Sequence, residues 1–215
     1  MVSLMPWTLG VSGVLTGLVA VWVAERSAGA QGGSEERQRR VIAVAAASTA
    51  LAVLFAIGRA RFGGTVPVLL AWCWVCALGT ILALVDLRCR RLPFTLLAAW
   101  AGGCLVCFLA AAATTGQWMN LLFAATSGLV VLVAALVAQG WAPEHTGGGD
   151  SALYGAIAVF VSWWGWAGLL RGLLWASVAT AAVALAVAAV RRSRRARFPA
   201  GPSLIAGALA SVLSA

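Results

Sequence analysis

PVLLAWCWVCALGTILALVDLRCRRLP, residues 67–93, decides how the rest of the chain is read. No charged residue occurs from Pro67 to Val85. A helix needs about 20 such residues to cross a bilayer core of about 30 Å. Backbone polar groups in hydrocarbon must be satisfied within their own segment, so an apolar run of this length reads as a helix. It then stops on Asp86, Arg88, Arg90, Arg91 and Pro93. The unit is a transmembrane helix that ends at a carboxylate and a basic cluster.

Outward from this unit the same alternation continues. Apolar runs lie at 5–24, 41–58, 67–86, 94–113, 120–140, 151–170, 172–190 and 198–214, separated by short polar breaks. The predicted fold is all-α: a polytopic membrane helical bundle of about eight transmembrane helices, forming one domain over 1–215 without repeats. Two boundaries are thin. Only Arg171-Gly172 parts the sixth run from the seventh, and Pro199 and Pro202 interrupt the start of the last. Composition agrees, with 62% hydrophobic and 10% charged residues, where soluble domains carry about a quarter charged. Ala28-Gly29-Ala30 mimics a cleavage site, but no positive region precedes the first run, which reads as a permanent span.

The net charge of +9 comes from 15 basic residues, all arginine. They sit in clusters between apolar runs. That distribution excludes a nucleic-acid interface and points to orientation signals and anionic membrane lipids. With the N-terminus outside, loops 25–40, 87–93, 141–150 and 191–197 face the inside. They hold Arg26, Arg37, Arg39, Arg40, Arg88, Arg90, Arg91, Arg191, Arg192, Arg194, Arg195 and Arg197. Only Arg59, Arg61 and Arg171 fall outside. Short loops rich in arginine stay on the cytoplasmic side, so this asymmetry sets the orientation.

The chain has two aspartates, Asp86 at the end of the third run and Asp150 at the start of the sixth. The arginine count alone places both at the inner boundary, although 64 residues separate them. Ionisable groups at the edge of a bilayer are costly and point to function. Two carboxylates in one site suit acid/base hydrolysis, because like charge and desolvation drive their proton affinities apart. One can take a proton from water while the other polarises a carbonyl. Such a pair titrates as a unit, and neither member has a fixed role from sequence.

Gly147-Gly148-Gly149 precedes Asp150. Without Cβ atoms this loop lets a substrate strand lie close and pair with the backbone. Pro93 biases Leu92 to extended geometry and should fix the loop after Asp86. Other readings stand beside catalysis. Asp86 can pair with Arg88, Arg90 or Arg91, and Asp150 can cap the sixth helix. Both can also serve a transporter or proton pathway, although carboxylates in that role usually lie near the bilayer midplane. A non-catalytic assembly partner is a further alternative.

At these residues the chain resembles the type IV prepilin peptidase (leader peptidase) family. The resemblance rests on Asp86 with Arg90-Arg91-Leu92-Pro93, on the Gly-x-Gly-Asp motif Gly147-Gly148-Gly149-Asp150, and on Phe198-Pro199-Ala200-Gly201-Pro202, similar to a late Phe-Gly-Pro signature with an insertion. It covers roughly 67–214, leaving 1–66 as N-terminal spans outside the peptidase-like core. It implies an aspartic endopeptidase in the bacterial inner membrane, with its active site toward the cytoplasm. The substrate would be a type IV pilin-like precursor, cut just before its apolar helix. Asp86 and Asp150 would be catalytic. Gly147, Gly148, Gly149, Arg90, Arg91 and Pro93 would border the substrate, and no metal or cofactor is implied. Ala152 stands where the family often has Lys, and Phe94 where it often has Asn. Loop 25–40 lacks the cysteine tetrad linked with N-methylation, so only peptidase activity is expected. Presenilin-like proteases share Gly-x-Gly-Asp, but Val85 replaces their usual Tyr and 199–202 fits their Pro-Ala-Leu motif poorly.

The remaining chemistry-bearing residues read as structural. Cys73/Cys76 and Cys104/Cys107 have CxxC spacing, yet lie in apolar runs where small packing residues are expected rather than a zinc site. His145 and Glu144 read as solvated loop residues. Trp163, Trp164 and Trp166 are expected in an interfacial aromatic belt near the outer leaflet. Arg191–Arg197 reads as an orientation anchor, and 25–40 as a mobile connection.

Overall fold

The computed structural model describes residues 34–90, 92–141, 147–191 and 199–214, with side chains from Ala45 onward. The expected first span, 5–24, lies outside the described residues. Among them the only regular structure is helix. The helices are α1 (Ser34–Phe62), α2 (Val66–Cys89), α3 (Phe94–Thr115), α4 (Trp118–Trp141), α5 (Gly148–Val161), α6 (Gly165–Arg191) and α7 (Gly201–Leu213). A 3-10 turn, Ser162–Trp164, joins α5 to α6.

Among the described residues five segments are long and apolar enough to cross a membrane: Ala45–Phe62 of α1, then α2, α3, α4 and the run Gly148–Arg191. Leu129, Val130, Val133 and Val137 of α4 are all more than half or half exposed, as are Leu170, Leu174 and Leu185 of α6. A water-soluble bundle does not expose helices that are apolar on their outer faces, whereas a bilayer accepts them. α7 has 13 residues, about 20 Å of helix at 1.5 Å per residue, so it reaches only part of the way through.

Two sequence expectations need correction. The break between the sixth and seventh runs lies at Ser162–Gly165, not at Arg171-Gly172, which sits inside α6. Gly165 has φ 75° and ψ −163°, a conformation essentially restricted to glycine, and there the chain reverses. The hydropathy of 162–166 hides the turn, because three of its five residues are tryptophan. Likewise residues 34–40 of the expected connection 25–40 belong to helix α1, and 25–33 lie outside the described residues.

The tryptophans also depart from the belt expectation. Trp163 is buried and stacks on Phe108 at 4.4 Å, while Trp166 is exposed. Phe160 lies at the centre of an aromatic core with Trp72, Trp100, Phe108 and Trp164 around it. The indole of Trp72 donates from Nε1 to the Leu54 carbonyl at 2.8 Å, and Trp100 donates to Val75 at 3.0 Å. Each bond ties a helix to its neighbour where water cannot compete. Cys76 and Cys104 are buried in this core and serve as packing residues.

Close helix approach sets the layout. α4 and α5 cross at Gly128 and Gly155, where a Cβ on Gly128 would stand 2.2 Å from Val159. α6 and α7 meet at Gly207, whose missing Cβ leaves room for the Trp175 carbonyl, and Thr180 Oγ1 lies 3.1 Å from Ser203 Oγ. These contacts make successive helices antiparallel. The end of α2, the starts of α3, α5 and α7, and the ends of α4 and α6 therefore share one end of the bundle.

Candidate active site

At that end the fold brings three separated segments together. Asp86 lies in the last turn of α2 and is 5% exposed. Its Oδ2 accepts a hydrogen bond of 2.9 Å from the backbone N–H of Gly201, 115 residues away. Gly201 is the first residue of α7, so its amide is one of the four that a helix start leaves without an internal partner. Packing leaves no space for a side chain here, since a Cβ on Gly201 would lie 2.8 Å from Asp86 Oδ2.

The loop after Asp86 is tightly held. Arg90 adopts a left-handed conformation, φ 50° and ψ 35°, and its N–H donates to the Asp86 carbonyl at 2.9 Å. This closes α2 in the position where glycine is usual. The Arg90 guanidinium acts electrostatically on Asp86. Pro93 then occupies the N-cap of α3, and its carbonyl accepts from Leu96 and Leu97.

Asp150 is half-buried, in the first turn of α5. Its carboxylate turns back to the amide of Gly147, at the N-cap, in the manner of a capping residue. It also lies close enough to Asp86 for the two charges to interact. The glycine run packs directly on the loop after Asp86. A Cβ on Gly149 would stand 2.8 Å from Leu92 Cβ and 3.3 Å from the Leu92 carbonyl oxygen, and one on Gly148 would touch Phe94. Thus Gly149 is needed for close approach to Leu92 within the chain itself. Gly147 is the exposed member of the three.

Of the residues singled out from sequence, Asp86, Asp150, Gly147, Gly148, Gly149, Arg90 and Pro93 fall in one cluster. Arg91, Glu144, His145, Arg192–Arg197 and Phe198 lie outside the described residues. One residue had no signal in the sequence, and another had none for its role. Ser151, buried beside Asp150, donates to Gln139 Oε1 at 3.1 Å and so ties the start of α5 to the end of α4. Gly201 was legible as part of a signature but not as a donor, because a backbone amide has no residue-type mark.

An apolar crevice of about 320 Å³ opens between α1, α2 and α7. Ala46, Gly79, Ala83 and Ala206 line it, and it reaches Leu84 and Pro202, near Asp86 and Gly201 in sequence. Among the described residues no group of three or more His, Cys, Asp or Glu side chains is placed to hold a metal ion. Comparison of the chain with protein-family models, with curated proteins and with solved structures finds no match.

Proposed function

We propose that this protein is a membrane-embedded aspartic endopeptidase of prepilin-peptidase type, which removes the leader from type IV pilin-like precursors. The observation that supports it most is convergence. Gly201 bonds to Asp86, Gly149 packs on Leu92, and Asp150 feels the charge of Asp86, although these segments are distant in sequence. Two interacting carboxylates at a helix end, one buried and one half-buried, are the equipment of acid/base hydrolysis. Carriers of a proton or ion pathway usually lie near mid-membrane, and this position favours hydrolysis over transport.

In this reading the chain has about eight membrane-embedded helices, the short α7 among them, with its N-terminus outside, in a bacterial cytoplasmic membrane. The aspartates face the cytoplasm, where the arginine clusters also lie. The apolar helix of the precursor docks laterally in the crevice between α1, α2 and α7. Its cleavage segment unwinds past Gly147 and Gly148 beside Arg90, Arg91 and Pro93. Water attacks the scissile carbonyl directly, with no covalent intermediate.

The test is cleavage of a co-expressed precursor that carries a short basic leader before an apolar helix, read as a mass change. Wild type should cut it. Asp86→Asn and Asp150→Asn should insert normally and leave it uncut. Equal cleavage by either variant and wild type would remove the proposed chemistry.

A further inference from the structure

We infer that the end of the bundle opposite the aspartates holds a binding site for a phosphate group, supplied by a lipid headgroup or by a soluble phosphate. The site is independent of Asp86 and Asp150 and of any peptidase activity.

Three turns meet at that end: the one between α1 and α2, the one between α3 and α4, and Ser162–Trp164. Residues of all three line a cavity of about 450 Å³, within the size range of small-molecule sites. Thr65, Gln117 and Gly165 lie on its wall, and each stands at the start of a long helix, α2, α4 and α6 respectively. The first amides of a helix have no internal acceptor and lie at the positive end of its dipole, which suits an anion. Antiparallel packing alone brings helix starts together, so the side chains must decide what the cavity is for.

Trp163 decides it. This side chain lines the cavity, is 4% exposed and stacks on Phe108. Buried indole N–H groups usually find an acceptor, and those of Trp72 and Trp100 do. The N–H of Trp163 meets none among the described residues. Nor is it shut inside the packing, so it opens on the cavity. The neighbouring groups add donors. Asn120 Nδ2 donates to Gln117 Oε1 at 3.1 Å, which satisfies that oxygen and leaves the Gln117 amide hydrogens for a ligand. The Thr65 hydroxyl makes no cap bond to its own helix. Thr115 spends its proton on the Ala111 carbonyl at 2.7 Å and is the exception.

No charged side chain lines the cavity. The described charges in this half of the molecule are Arg59, Arg61 and Arg171, whereas Glu35, Glu36, Asp86 and Asp150 all lie toward the other end. Arg59 Nη1 and Arg171 Nε are buried without a hydrogen-bond partner among the described residues. Neutral donors in a positive field match an acceptor-rich anion. A phosphate offers several oxygens, enough to engage Trp163, Gln117 and a helix start at once. Its source can be the membrane itself. Trp118 and Trp166, each next in sequence to a lining residue, are exposed and mark the membrane–water boundary, where lipid phosphates lie.

The test is NMR of the protein in neutral maltoside micelles, with nitrogen-15 in its eleven tryptophan indoles. Trp163→Phe keeps a ring against Phe108 and assigns the Trp163 signal by its loss, and Trp72→Phe assigns Trp72 in the same way. Dihexanoylphosphatidylglycerol, inorganic phosphate and dihexanoylglycerol are then added separately. Dihexanoylphosphatidylglycerol should move the Trp163 N–H signal downfield and leave that of Trp72, which Leu54 already holds. Dihexanoylglycerol, which lacks the phosphate, should move neither. A response to inorganic phosphate as well identifies a soluble ligand, and a response to the lipid alone identifies a headgroup. Gln117→Ala, at an exposed position, should weaken the binding about tenfold to a hundredfold, the worth of one hydrogen bond to a charged group. A Trp163 signal unmoved by both phosphate compounds would overturn the site. So would an equal response to dihexanoylglycerol, or undiminished binding in Gln117→Ala.

Discussion

Asp86 and Asp150 were legible because charge is scarce in this chain. With only six acidic residues among 215, a carboxylate at a span boundary stands out. What was not legible is how each glycine is used. The triple glycine reads as room for substrate, yet Gly149 is filled by Leu92 of its own chain. That difference can be measured. Gly149→Ala puts a Cβ against backbone-anchored atoms and should cost about 1–3 kcal/mol in unfolding experiments. Gly102→Ala meets nothing within 4 Å in the middle of α3. It should be neutral or stabilising by up to about 1 kcal/mol. An equal effect of the two substitutions would show that Gly149 is not packed as described.

At the scale of elements, apolar periodicity found the helices but misplaced one turn. Arg171-Gly172 attracts a boundary because arginine and glycine are unfavourable in a span, and α6 absorbs both. The actual turn depends on Gly165, whose backbone angles hydropathy does not report. Gly165→Ala should therefore destabilise the protein by about 1–3 kcal/mol, whereas Gly172→Ala should suffer only from its contact with Val161. Thermal unfolding in nanodiscs checks the first figure, and no change in Gly165→Ala would contradict the turn. The tryptophans were read by their surface habit, but several act as interhelical ties. Trp72→Phe keeps most of the ring packing and loses the bond to Leu54. Its cost should be about 0.6 kcal/mol and no more than about 2, as for hydrogen bonds between membrane helices.

For the whole molecule, the arginine distribution and the helix layout agree on which segments share an end. Asp86, Asp150 and the end of α6 at Arg191 lie together, and Gln117, between α3 and α4, lies at the other end. In a background with the five native cysteines replaced by alanine, Gln117→Cys should react with an impermeant maleimide in intact cells. Arg191→Cys should react only after permeabilisation. The reverse pattern would invert the proposed orientation. The membrane bundle could be read from the sequence because hydrocarbon imposes one rule on every span. The meeting of Asp86, Gly149 and Gly201 could not, since it depends on which helices pack together.

The central claim is that two distant aspartates work as one site, and a double-mutant cycle on precursor cleavage tests it most directly. Asp86→Asn and Asp150→Asn should each lower kcat/KM by about a hundredfold to ten-thousandfold, the usual range for general acid/base groups. The double variant should be no worse than the poorer single, because a unit already broken cannot be broken again. Losses that multiply in the double variant, or wild-type cleavage by either single, would contradict a shared site.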